Sequence, residues 1–169
     1  FSACEATWTM EIELNEDNSG NYRIAVLLDQ EAQLYAVETG QTSIGGLNAI
    51  LTSMPEGFGS TIYEDKDKLG ILVRNNFSSI EEFESQLEVL RKDENTELLL
   101  LPISDISITT DGSEKIVSGS FAKILNGADE EIEGIEDIYS GSLSIKLPGR
   151  IEEPKIEDIN DNTVIFQHS

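Results

Sequence analysis

The feature that most constrains this chain is a strict alternation near its start. Ala6, Trp8, Met10, Ile12 and Leu14 interleave with Thr7, Thr9, Glu11 and Glu13, and Tyr22, Ile24, Val26 and Leu28 repeat the pattern. A period of two puts apolar side chains on one face and polar ones on the other, so both segments read as half-buried strands. The intervening Asn15-Glu16-Asp17-Asn18-Ser19-Gly20 is rich in turn formers, which joins the strands as an antiparallel hairpin. Asn15, Asp17 and Ser19 also stand at the alternate positions of a calcium loop. The twelfth position of such a loop is Val26, which cannot supply the bidentate carboxylate, so no metal is expected.

Downstream, Asp29 can cap a helix over residues 30–38, which carry Ala32, Leu34, Tyr35 and Ala36 before Gly40. A second helical stretch, Thr42 to Met54, aligns Ile44, Leu47, Ile50, Leu51 and Met54, weakened by Gly45 and Gly46. Short strands near 60–64 and 70–74 follow, joined around Lys66-Asp67-Lys68. The clearest helix starts at Ser78 or Ser79, with Glu81 or Glu82 three residues on as a capping box and a stripe of Ile80, Phe83, Leu87 and Leu90. Leu98 to Thr110 and Lys115 to Ile124 read as a hairpin about Asp111-Gly112-Ser113, with an apolar phase shift across Pro102 that marks a bulge or an edge. Residues 126–138 read as an acidic, solvated connection. Two last strands fall near 139–147 and 163–167.

The expected plan is therefore α+β, a mainly antiparallel sheet with two or three helices packed on one face, in the order β-β-α-α-β-β-α-β-β-β-β. The 169 residues make one domain, and no linker or fixed-period repeat divides them.

Charge limits the partners. With 33 Asp and Glu against 11 Lys and Arg, the net charge is -22. Nucleic-acid binding needs clustered cations, and Arg91-Lys92 is the only adjacent pair, so nucleic acid is excluded as a partner. Spread over a folded surface of about 8,000 Å², the net charge is spaced at roughly 19 Å, beyond the Debye length at physiological salt. Apolar runs such as Leu98 to Leu101 are far short of the roughly 20 residues that span a bilayer as a helix.

Catalytic chemistry is not spelled out. The single His, His168, is the penultimate residue and reads as exposed tail. Ser118 and Ser120 lack a nucleophile elbow and a histidine to activate them. Carboxylates are so abundant that a pair at glycosidase spacing carries no information. No catalytic residue, metal ligand or cofactor is assigned, and a carboxylate-based hydrolase is the weakest of the function classes.

Cys4 has no basic, His or Cys neighbour to activate it as a nucleophile or zinc ligand. The segment Phe1-Ser2-Ala3-Cys4 instead resembles the end of a bacterial lipoprotein signal, with an apolar residue and two small ones before the lipidated cysteine; the alternative is a free thiol. At the other end, Ile145-Lys146-Leu147-Pro148-Gly149-Arg150-Ile151 and then Asn160-Asp161-Asn162-Thr163-Val164-Ile165-Phe166 resemble the closing signature of the LppM-like domain family of bacterial envelope lipoproteins. The early hairpin and the Ser-capped helix are also similar to that family's order. Phe166 departs from the family's usual Trp, and the chain stops at Ser169 without the transmembrane helix of many relatives.

The resemblance implies residues 1–6 as lipobox remnant and short tether and 7–169 as a single LppM-like domain. It implies attachment to the outer side of the bacterial cell membrane through a lipid on Cys4, no catalysis, and a lipid or glycolipid ligand. A cavity between sheet and helices would be lined by Leu47, Ile50, Leu51, Phe83 and Leu87; as an alternative, these side chains simply fill the core. A structural or protein-interaction module of the envelope, with a protein partner and no small-molecule ligand, is the second reading.

Overall fold

The computed structural model describes residues 6–31, 33–34, 54, 56–92, 103–112, 114–121, 139–149, 158–160 and 163–168. Along the chain run β1 (Ala6–Leu14), β2 (Gly20–Leu28), β3 (Gly59–Asp65), β4 (Lys68–Phe77), α1 (Ile80–Lys92), β5 (Ile103–Asp111), β6 (Glu114–Phe121), β7 (Tyr139–Lys146), β8 (Asp158–Asn160) and β9 (Thr163–His168). Seven strands form one sheet in the order β3-β4-β2-β1-β7-β9-β8, and β5 and β6 form a separate ribbon. The pairings are antiparallel except at the centre, where β1 and β7 run parallel.

Register explains why one face of the sheet is buried. Trp8 stands opposite Val26, Met10 opposite Ile24 and Ile12 opposite Tyr22 across β1–β2. Val26 and Ile24 in turn meet Ile71 and Val73 on β4, and Met10 and Ile12 meet Leu143 and Ile145 on β7. These rows are buried with Leu14 and Phe77 in one cluster, which also takes in Ile80, Phe83, Leu87 and Leu90 of α1 and Ile103, Ile106 and Ile108 of β5. The helix and the ribbon thus cover the same face of the sheet.

Helix α1 begins where its capping box requires. The Ser79 Oγ accepts the Glu82 N–H at 3.2 Å, and the Glu82 carboxylate accepts the Ser78 N–H at 2.7 Å and the Ser78 hydroxyl at 2.5 Å. Its stripe puts Phe83 among the aromatic rings of the sheet, 4.9 Å from Phe77 and 5.5 Å from Tyr22, the latter edge to face at 70°. Each such fully buried apolar side chain contributes about 1.5–3 kcal/mol.

The expected element order is overturned. Strands make up most of the described residues, and apart from residues 30, 31, 33 and 34 the only helix among them is α1, in place of two or three. Of the stretch expected as helix over 30–38, residues 30, 31, 33 and 34 are helical, closed by the Gln33 N–H on the Asp29 carbonyl at 2.9 Å. The expected helix over 42–54 lies outside the described residues apart from Met54, which sits in a bend. A strand not foreseen, β8, follows β7. Asp158-Ile159-Asn160 is short and polar at two of three positions, so its strand state comes from pairing with β9 and not from its own propensity. The phase shift across Pro102 shows as a register shift in β5 between Ile103 and Asp105. The acidic stretch 126–138 lies outside the described residues.

Candidate functional site

Because strand side chains alternate, the face of the sheet opposite the helix is the polar one. Four rows cross it in register: Tyr63, Gly70, Leu27, Thr7 and Ser140; Thr61, Leu72, Ala25, Thr9 and Ser142; Arg74, Arg23, Glu11 and Ser144; Asn76, Asn21, Glu13 and Lys146. Most of these side chains are exposed or half-buried; only Gly70 and Ala25 are buried.

Two ion pairs hold neighbouring strands on this face. The Arg23 guanidinium meets the Glu11 carboxylate with Nε 2.5 Å from Oε2 and Nη2 2.8 Å from Oε1, a two-pronged contact across β1–β2. Lys146 Nζ donates to Glu13 Oε1 at 2.6 Å across the parallel β1–β7 pair, and this holds the Glu13 carboxyl below the usual carboxylate range. Lys68 Nζ lies 3.5 Å from the Thr7 hydroxyl. Arg74 stands directly opposite Arg23, yet makes no hydrogen bond or ion pair among the described residues. Its side chain leans instead on Gly59, where an added Cβ would come within 3.2 Å of Cγ.

The residues singled out from sequence fall in three places. Phe83 and Leu87 are fully buried in the core against the sheet. Cys4, Leu47, Ile50 and Leu51 lie outside the described residues. His168, expected as loose tail, ends β9 with its backbone opposite Gly141 of β7.

The calcium-like turn uses its polar groups internally. Asp17 Oδ1 accepts the Ser19 N–H at 3.0 Å and its hydroxyl at 2.6 Å, while Asn15 Nδ2 donates to Ser19 Oγ at 3.0 Å. These bonds hold the Asp17 carboxyl below its ordinary range. The Lys115 ammonium of β6 donates to Asn18 Oδ1, so a side-chain cation already sits on the turn. Among the described residues no group of three or more His, Cys, Asp or Glu is arranged to hold a metal ion.

Among the described residues, the carboxylates whose pKa departs from the ordinary value, Glu13, Asp17, Glu81 and Glu82, depart downward, each chiefly through hydrogen bonds that favour the charged form. A proton donor at neutral pH needs the opposite shift. Burial pushes the Tyr22 phenol up, far from any role as a base. No helix among the described residues is long and apolar enough to cross a membrane.

The feature that sequence reasoning missed is the Arg23–Arg74 juxtaposition. The two positions are separated by the whole β2–β4 connection, and only the register of that pairing brings them side by side.

Neither a protein-family model nor a curated protein sequence matches the chain. Among solved structures it is similar to the folded domain of the LppM protein of Mycobacterium tuberculosis, determined by NMR, with a TM-score of 0.61 and 11% sequence identity. The match covers 99% of this chain and 84% of the other, and it establishes a shared fold.

Proposed function

We propose that this protein is an LppM-like, non-catalytic binding module of the bacterial envelope, tethered to the membrane by a lipid on Cys4 and taking a lipid or glycolipid between its sheet and the layer above it. The observation that carries this reading is the fold shared with the LppM folded domain over nearly the whole chain. Two elements of the closing signature support it by their placement at strand ends. Pro148-Gly149 follows β7, with Gly149 at a φ of +94°, a backbone shape that favours glycine. Asn160 and Thr163 pair across the turn between β8 and β9. The first strand begins at Ala6, so a lipid on Cys4 would hold the domain close to the leaflet.

Two measurements test the reading. Intact-mass analysis of the protein from its native membrane should show Cys4 carrying acyl chains; a bare thiol would remove the anchor. Native mass spectrometry should show a co-purified lipid, or uptake of added lipid; repeated absence of both would remove the ligand. In that event a protein-interaction module becomes the better reading, favoured by the broad open face of the sheet, and it predicts a protein partner recovered by crosslinking at that face.

A further inference from the structure

The charge of this molecule is segregated. Across the seven-stranded sheet the register places Arg23, Lys68, Arg74 and Lys146 on the open face against Glu11, Glu13, Asp65 and Asp158, no net charge on a chain of -22. Three of these carboxylates have a cation beside them: Glu11 pairs with Arg23 and Glu13 with Lys146, while Asp65 stands opposite Lys68. Arg74 is exposed, stands opposite a second arginine, and has no hydrogen-bond or ion-pair partner among the described residues. Like charges directly opposite each other across strands are destabilising, and the described residues offer Arg74 nothing in return. Around the pair lie hydroxyls and amides, Thr9, Ser142, Ser144, Asn21 and Asn76, and the exposed ring of Tyr63. The opposite side carries α1, with Glu81, Glu82, Glu84 and Glu88 against Arg91 and Lys92, a net charge of -2.

We propose that the open face, centred on Arg74, is the side this protein turns toward an anionic leaflet, with the Arg74 guanidinium meeting lipid phosphates. The proposal rests on tethering at Cys4 and adds to it an orientation. A strongly negative body held within a few residues of a negative surface is repelled less through this net-neutral face than through the acidic face of α1, and a guanidinium without a carboxylate partner suits phosphate oxygens. The tether favours a leaflet over a soluble anion as the source of those phosphates: residue 4 lies two residues before β1, a central strand of the same face. Each Lys or Arg held at an anionic leaflet biases the equilibrium by about fivefold.

The test uses the full chain coupled through the sulfur of Cys4, its only cysteine, to a maleimide-headgroup lipid in vesicles of phosphatidylcholine with or without phosphatidylglycerol. Hydroxyl-radical footprinting compares Tyr63 and Leu72 on the open face with Val89 on α1 and Ile116 on β6. Phosphatidylglycerol should slow oxidation of Tyr63 and Leu72 by about fivefold relative to Val89 and Ile116, and neutral vesicles should not. Arg74→Glu should abolish the protection and Arg74→Gln should reduce it, while Lys92→Glu, with the same change in net charge as the first variant but placed on α1, should leave it intact. Equal oxidation on both vesicles, or protection that survives Arg74→Glu, would overturn the proposal. So would protection erased by millimolar inorganic phosphate at constant ionic strength, which would assign a free-anion site in place of the leaflet. Because the coupling is synthetic, the outcome is independent of whether cells acylate Cys4, which the intact mass reads separately.

Discussion

The indole of Trp8 lies across the backbone of Gly141, its parallel-strand partner, so closely that a Cβ at position 141 would collide with both the indole ring and the Trp8 carbonyl. Trp8 is the chain's only tryptophan and is fully buried. The contact ties the N-terminal hairpin to β7, so the glycine serves close approach and not a turn.

Replacing that glycine should therefore loosen the centre of the sheet. Gly141→Ala is expected to cost about 1–3 kcal/mol, as overpacking of a filled core does. Urea unfolding followed by Trp8 fluorescence measures it, and the native emission should shift to the red as the indole is displaced. An unchanged midpoint would mean that β7 does not sit against Trp8.

Phe83 joins the helix to the sheet through its contacts with Phe77 and Tyr22. Phe83→Ala should cost about 3–5 kcal/mol, the usual loss for a buried phenylalanine truncated in a packed core. Thermal unfolding measures it. A loss well below that range, accompanied by a change in lipid uptake, would point to a ring that lines a ligand cavity.

The capping box makes the start of α1 sensitive to acid. The Glu82 carboxyl is held below its ordinary value of 4.5, first by the Ser78 hydroxyl and then by the Ser78 N–H. A carboxylate whose folded pKa is depressed contributes stability that is present above 4.5 and is lost as pH falls through the lower folded value. Glu82→Gln should thus be less stable than the parent at pH 7 and match it in strong acid. Urea midpoints at the two pH values decide the point; a deficit independent of pH would assign the effect to something other than the charge.

The turn at Asn15–Gly20 is internally bonded and carries Lys115 on Asn18. Adding millimolar Ca²⁺ should leave the amide resonances of that turn in place in an NMR titration, with at most the small, dispersed shifts expected of an acidic surface. Asn18 adopts a φ of +68°, so Asn18→Gly should be tolerated and Asn18→Val should destabilise the hairpin by about 1 kcal/mol or more.

Much of the local structure can be read from residues close together in sequence. The alternation through Trp8, Met10 and Ile12, the turn formers at 15–20 and the Ser-x-x-Glu start of α1 each act within a few positions, and each forms where its pattern places it. After β2 the described part of the expected helices is helical at residues 30, 31, 33 and 34, and the rest lies outside the described residues. Of the candidate ligand-binding residues, Phe83 and Leu87 were legible as an apolar stripe, whereas burial alone does not separate a core residue from a cavity wall.

The order of the strands was decided by tertiary structure. Glu13 and Lys146 lie 133 residues apart, yet they form an ion pair because β1 and β7 run side by side in parallel. Asp158–Asn160 becomes a strand only beside β9, and Arg23 meets Arg74 only through the pairing of β2 with β4. The physical reason is range. Periodicity and capping are satisfied by neighbours along the chain, while the choice of lateral partners depends on which arrangement buries all the apolar faces together, a sum over distant segments that no local window contains.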